Sequence, residues 1–456
     1  MADDKLPASR IGRTARLGGL VAGQGLRWAG TRIANRSRSE EDAEAARAAR
    51  ALATADELVS VLGQMRGAAM KFGQVLSTID FEGVPEAQRE AFKAKLAALR
   101  DSAPSVSFAQ VRKVVERDLG GPLSEFFADF GEEPVAAASI GQVHRATTRG
   151  GADVAVKVQY PGVAEAVESD LRNAGLLVPL IKRMAPGLDA RAVMGELRER
   201  IAEELDYELE AQSQRLVERA FRGHPAALVP RVHTDLSARR VLVSDFVEGV
   251  GFEAIKARSQ EERDRVGEVM FRFYFGLLNR ERLVAGDPHP GNVLLCADGR
   301  VCFLDFGLMR KVPAAYLAGE RELARALARG DAEGVHASMA KLGYLPDPSQ
   351  FPPERLLSQL REATEWWGEP GDRHLDPDYV RDLADRTGPR SSHYDLMRKQ
   401  TIPPEALLLR RMEALLFAVL GELRARGDWS ALAREVQGGP PAGTALGEAE
   451  AAWLAR

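Results

Sequence analysis

Asp287, Asn292 and Asp305 have the residue types and spacing to manage a phosphoryl group, and all three fall within Val284–Gly307, VAGDPHPGNVLLCADGRVCFLDFG. An Asp followed five residues later by an Asn, then a short hairpin and Asp-Phe-Gly, sets oxygen donors at the mouths of strands. That layout binds magnesium and a nucleotide for phosphoryl transfer. Val293 to Cys296 and Val301 to Leu304 are apolar runs joined through Asp298-Gly299, where Gly accepts positive φ, so the spacing predicts a hairpin. On this reading Asn292 and Asp305 stand at opposite ends of one ribbon, close enough to share a cation. His289, between Pro288 and Pro290, suits bracing of the loop better than proton transfer, a task Asp287 already fills.

A second group lies upstream in PVAAASIGQVHRATTRGGADVAVKVQYPG. Gly141 to Thr147 and Asp153 to Gln159 read as strands joined by Arg149-Gly150-Gly151, and Lys157 alternates with Val154, Val156 and Val158. A Lys on a strand after a small-residue hairpin can hold nucleotide phosphates. Any hairpin with an exposed Lys would look the same, so Val-Lys-Val says little alone. The preceding turn, Ala136-Ala137-Ala138-Ser139 with Ile140 and Gly141, carries methyl groups that would restrict backbone approach to phosphates. In EELDYELEAQ, a helix over Arg191 to Gln212 would place Glu203, Asp206 and Glu210 on one face beside Glu204. These carboxylates form either a solvated face or, through Glu210, an orienting partner for Lys157. Val229 to His233 and Val241 to Phe246 have strand character. Asp245-Phe246-Val247 then leads to Glu248-Gly249 as a hinge against adenine would.

Helices must carry the rest. Leu52 to Leu76, Glu86 to Arg100, Phe108 to Asp118, Val163 to Arg183, Gln260 to Arg282, Tyr316 to Arg329, Ala332 to Leu342, Pro353 to Trp367 and Pro403 to Arg426 show helical periodicity. Phe271, Phe273, Tyr274 and Phe275 read as core, and Trp366, Trp367 and Trp429 as packing for the later helices. Within the first helix, Lys71, Gly73 and Gln74 form a Lys-x-Gly-Gln group whose glycine spacing alone favours as a kink. No Ala-Pro-Glu follows Asp-Phe-Gly, so a platform for a peptide substrate is absent or very short.

The chain has 456 residues, a formal net charge of -4 and a pI near 6.1, a balance that argues against nucleic acid as a partner. Its two cysteines, Cys296 and Cys302, fall on the two arms of the hairpin and read as buried hydrophobes, not a disulfide, which suits a reducing cytoplasmic setting. No run reaches the roughly 20 apolar residues of a spanning helix, and Ala414 to Gly421 reads as a core helix. Residues 1–38 combine glycines with Lys5, Arg10, Arg13, Arg16, Arg27, Arg32, Arg36 and Arg38, either as a basic arm or as a segment lying on an anionic membrane face.

Together, MKFGQVLS, AAASIGQVHRA, VAVKVQYPG, EELDYELEA, GDPHPGNVLL and FLDFG resemble, in order, the UbiB/AarF-type atypical kinases, also called the ADCK family. The resemblance runs from about Leu17 to about Arg426. It implies an α+β, bilobal protein-kinase-like fold with an N-terminal helical extension over the active site. The implied segments are 1–38 basic, 39–129 extension, 130–250 kinase-like first lobe, 251–437 helical second lobe and 438–456 flexible tail.

By the same resemblance Lys157 is the phosphate-binding amine, Glu210 its helix partner, Asp287 the catalytic-loop Asp, and Asn292 and Asp305 the metal ligands. Ala137, Ala138, Ser139, Ile140, Val143, Asp245 and Val247 surround the nucleotide. Lys71, Gly73 and Gln74 form a lid that Glu204 and Asp206 face, a reading that replaces the kink. The implied cofactors are ATP and Mg²⁺. The implied activity is that of an atypical kinase or ATPase serving isoprenoid quinone or other lipid metabolism at the inner face of the cell membrane. A membrane lipid or quinone precursor is the expected partner. A nucleotide-sensing pseudokinase scaffold is the alternative, and the oligomeric state stays open, with a homodimer among the options.

Overall fold

The alternation of valine with polar residues in DVAVKVQ makes one face of a strand apolar, and that face builds the core of the first half of the chain. The computed structural model describes residues 106–138, 140–165, 167, 205–388 and 390–456. These form two compact units. One ends at Glu208 and adds His233–Val243, and the other consists of Leu209–Val232 and Ser244–Arg456. Lys71, Gly73, Gln74, Ser139 and Glu204, the segment 1–38 and the helices expected before Phe108 lie outside the described residues, as does most of the helix expected over Val163 to Arg183, of which the start, 163–165, is described and helical.

In the first unit, helix α1 (Phe108–Leu119) is followed by β1 (Phe127–Phe130), β2 (Ala136–Ala138), β3 (Gly141–Thr148) and β4 (Asp153–Gln159). Ser107 and Gln110 close a capping box at its start, and Gly120 ends it in the left-handed region at φ 81°. The sheet runs β1-β3-β4 and then the strand Val241–Asp245, with β1, β2 and β4 each antiparallel to β3. Val154, Val156 and Val158 are fully buried against Val111, Val114 and Val115 of α1 and against Val241 and Val243. Gly141 is dictated by close approach: a Cβ there would stand 2.2 Å from the Val158 carbonyl oxygen.

The helix expected over Arg191 to Gln212 is corrected in its described part, residues 205–212, and the remainder lies outside the described residues. Helix α2 begins at Tyr207 and runs to Ala220. Asp206 precedes it, its Oδ1 accepting the Glu208 N–H at 3.0 Å, so Asp206 and Glu210 do not share a helical face as spacing had suggested. The Tyr207 N–H is drawn to the Arg239 carbonyl at 2.9 Å, a contact between distant positions in the chain. Val229 to His233 likewise forms no continuous strand. It pairs instead through a single bridge, Val232 with Ser244, and the strand lies earlier at Ala227–Leu228.

The second unit is built on helix α3 (Gln260–Gly276), started by a Ser259–Glu262 capping box. Phe271, Phe273, Tyr274 and Phe275 are all buried on it, and Phe273 stacks on Phe303 with ring centroids 3.6 Å apart. The expected single helix to Arg282 instead widens into a π-turn, Leu277–Glu281, closed by Arg282 at φ 59°. The longer helices that follow are, in order, α4 (Ala314–Arg329), α5 (Ala332–Leu342), α6 (Pro353–Gly368), α7 (Pro377–Arg386), α8 (Pro404–Leu423), α9 (Trp429–Val436) and α10 (Ala445–Leu454), with a single helical turn at Tyr394–Met397 between α7 and α8.

Trp366 and Trp429 are buried in the core of this unit, with Trp367 packed against it. The tail expected over 438–456 is corrected by α10. Its Glu450 is 3% exposed and bonds the buried Arg272 at 2.9 Å, because burial of Arg272 demands compensating carboxylates. Among the described residues no helix is long and apolar enough to cross a membrane.

Candidate functional site

Two short antiparallel ladders in the second unit fix the three oxygen-bearing residues. Val293–Leu295 pairs with Val301–Phe303 in the register Val293 with Phe303, and the Leu304 N–H donates to the Asn292 carbonyl at 3.0 Å. The turn between them holds Gly299 at φ 82°, as the Asp298-Gly299 signal requires. This register corrects one expectation: Asn292 and Asp305 stand at the same, open end of the ribbon, since antiparallel pairing brings the start of one strand beside the end of the other.

The second ladder pairs Leu283–Ala285 with Met309–Lys311 and is extended by the Gly286 N–H donating to Leu308 O at 2.9 Å. It seats Asp287, one residue beyond Gly286, next to the chain leaving Asp305-Phe306-Gly307. Both carboxylates act on one neighbour: the Tyr274 hydroxyl is pushed up first by its burial, then by the charges of Asp287 and Asp305.

The loop between is braced by its own atoms. His289 donates its N–H to Asp287 O at 2.7 Å, its Nδ1 accepts the Gly291 N–H at 3.0 Å, and its carbonyl accepts from Asn292 at 3.0 Å. This is the bracing role expected for His289. Asp305 Oδ1 accepts the Gly307 N–H at 2.9 Å. A Cβ at Gly307 would lie 3.4 Å from Asp305 Oδ1 and 3.8 Å from Glu210 Oε2, which places the buried Glu210 carboxylate beside the Asp-Phe-Gly turn.

Sequence reasoning missed two supports. Arg411 on α8 donates from Nη2 to Asp287 Oδ1 at 3.0 Å and from Nε to Gly286 O at 3.1 Å. One turn earlier on the same helix, Leu408 packs so closely that a Cβ at Gly286 would stand 2.1 Å from it. The available signal was the pair Arg410-Arg411 interrupting an apolar run, since charge inside such a helix needs a buried partner.

The donors suit magnesium, which takes one or two protein oxygens and keeps several waters. Asn292 is half-buried and Asp305 exposed, so both can be reached from solvent. Among the described residues no group of three or more His, Cys, Asp or Glu forms a self-sufficient metal cage.

The first unit holds Lys157 with its cross-strand neighbour Val143, and Nζ lies 5.0 Å from the centroid of the Tyr207 ring. Ala137 pairs with Gln142 and Ala138 with Gly141 on β2, and Ile140 is buried at the turn. Asp245 and Val247 belong to the second unit. There the Asp245 N–H donates to Arg231 O at 2.9 Å, and Val247 is half-buried in the irregular stretch that follows.

Residues 98–339 match the family model described as the ABC1 atypical kinase-like domain. The chain is 33% identical over 346 residues to the zebrafish (Danio rerio) protein "Atypical kinase COQ8B, mitochondrial", an alignment covering 75% of this chain and 55% of that one. It is 33% identical over 369 residues to the Rattus norvegicus protein of the same name, covering 80% of this chain and 68% of the relative.

Among solved structures, that of the Rv3197–erythromycin complex from Mycobacterium tuberculosis superposes with a TM-score of 0.63 at 32% identity, covering 84% of this chain and 95% of the other. The α+β architecture is kinase-like, as the motifs implied. The two strand ladders, the Asp-Phe-Gly turn and the domain match converge on one assignment: the chain belongs to the ABC1 atypical kinase-like family, the UbiB/AarF group of atypical kinases.

Proposed function

We propose that the protein binds Mg-ATP and transfers or hydrolyses its terminal phosphoryl group in support of isoprenoid quinone or other lipid metabolism at a membrane surface. The observation that carries this reading is the pair of ladders that presents Asp287, Asn292 and Asp305 from a single unit. Asn292 and Asp305 would hold the metal, which neutralises charge on the nucleotide phosphates. Asp287, held by Arg411, orients the attacking oxygen. Lys157 serves as the phosphate-binding amine, and Glu210 takes the part of the helix carboxylate in the kinase layout. Ala137, Ala138, Ile140, Val143, Asp245 and Val247 contribute to the nucleotide's surroundings, and the basic segment 1–38 to contact with anionic lipid.

The test is phosphate release from ATP with liposomes present. The Asp287→Asn and Asp305→Asn variants should each lose at least ~100-fold in turnover while keeping their fold. Release at the parental rate by either would remove that residue from the role.

The second reading is a nucleotide-sensing scaffold. It draws on the alanine strand Ala136–Ala138, whose methyl groups restrict backbone approach to phosphates where glycine would permit it. Both readings expect Mg-dependent thermal stabilisation by adenine nucleotide, and turnover is expected of the first alone.

A further inference from the structure

Helices α4, α6, α7 and α8 of the second unit surround a cleft of about 750 Å³, walled by Leu317, Leu327, Trp366, Leu383, Leu409 and Phe417. That volume falls within the ~300–1,000 Å³ of small-molecule sites. Asp287, Asn292 and Asp305 are not in its lining.

The polar side chains of the lining, Gln437 apart, are turned to protein partners. Thr364 donates to Leu360 O at 2.8 Å, Thr387 to Leu383 O at 2.7 Å and Thr401 to Gly343 O at 2.9 Å. Gln359 and Gln400 exchange amide hydrogen bonds at 2.7 and 3.2 Å. Arg321 binds the Asn279 carbonyl at 2.9 Å and its side-chain oxygen at 3.1 Å. Arg410 is shared between Glu320 and Glu413, and Tyr344 donates to Glu320 at 2.8 Å. A charged ligand would find its counter-charges already engaged and would lose hydration without replacement. An apolar one gains by leaving water. On the rim, Ile402 is 57% exposed and presents an apolar surface to anything entering.

We propose that this cleft is a binding site for a neutral, mostly apolar small molecule, separate from the phosphoryl-transfer residues and independent of the reading given for them. The test uses the full chain and a neutral fluorescent arylamine, N-phenylnaphthylamine. Saturable one-site binding is expected, with decanol displacing the probe and decanoate failing to. Ala363→Phe and Ala414→Phe, both at exposed positions of the lining, fill the cleft without repacking the core and should each weaken binding ~10-fold or more. Leu454→Ser, outside the lining, should leave it unchanged, and thermal melts confirm that each variant is folded. The proposal is overturned by undiminished binding in both cleft variants, by displacement with decanoate as effective as with decanol, or by no saturable binding because a second copy of the chain fills the cleft.

Discussion

Arg411 grips Asp287 twice, through the side chain at 3.0 Å and through the preceding carbonyl of Gly286 at 3.1 Å. One guanidinium therefore sets both the rotamer of the carboxylate and the position of its loop. Arg411→Ala should lower turnover by ~10–100-fold through misplacement of Asp287, with nucleotide affinity nearly unchanged. Arg411→Lys keeps the charge without the fork and should recover only part of the rate. Parallel losses in affinity and rate would mark Arg411 as a fold-stabilising residue only.

Metal dependence provides an independent check on Asn292 and Asp305. Nucleotide at 100 times its dissociation constant should stabilise the protein by ~2.7 kcal/mol, and chelation of magnesium should remove most of that gain. Asn292→Ala should shrink the magnesium-dependent part of the melting shift and leave the melting temperature without nucleotide close to the parent's. A full shift in this variant would exclude Asn292 as a ligand.

Gly141 and Gly151 separate steric need from backbone conformation. Gly141→Ala drives a Cβ to 2.2 Å from a backbone oxygen that cannot step aside, and should cost more than ~2 kcal/mol in denaturant unfolding. Gly151 sits at φ 82° with nothing within 4 Å of where a methyl group would stand, so Gly151→Ala should cost only ~1 kcal/mol. Equal costs would contradict the packing described around Val158.

Glu450 gives the fold a dependence on acid. Burial would raise its pKa, but the hydrogen bond from His224 and the charges of Arg280 and Arg272 prevail and hold it at about 2, against an ordinary 4.5. The unfolded chain thus binds the proton first. The stability this provides is complete above pH 4.5 and lost as pH falls toward about 2, amounting to ~3 kcal/mol. Unfolding free energies measured across that window should fall more steeply for the parent than for Glu450→Gln. Matching slopes would refute the assignment.

Cys296 and Cys302 are buried free thiols, and burial pushes both upward, away from the reactive thiolate. Neither should react with a thiol reagent at neutral pH within the time the folded protein survives, and both should react on denaturation. Rapid labelling of native protein would show that the hairpin opens.

Much of the fold is legible in local pattern. The strands holding Lys157 and its neighbours follow from alternating valines and flanking glycines, and the hairpin after Asn292 from Asp298-Gly299. The break before Tyr207 was not legible, because the carbonyl that receives its N–H belongs to Arg239, far along the chain. Helix α10 escaped for the same reason: its alanine-rich sequence says nothing of Arg272, whose burial fixes it. Arg411 was visible as a charge in an apolar helix, but its partner could not be named without the packing of Leu408 on Gly286.

The tie between Arg272 and Glu450 spans 178 positions. At ~5–20 residues per second, a ribosome needs on the order of 10–40 s to make that stretch. During synthesis the guanidinium on α3 must therefore wait, hydrated or provisionally held by Glu268, which it bonds at 2.7 Å one turn away. The nascent domain can assemble its aromatic centre early, but it closes around that centre only when the last carboxylate emerges.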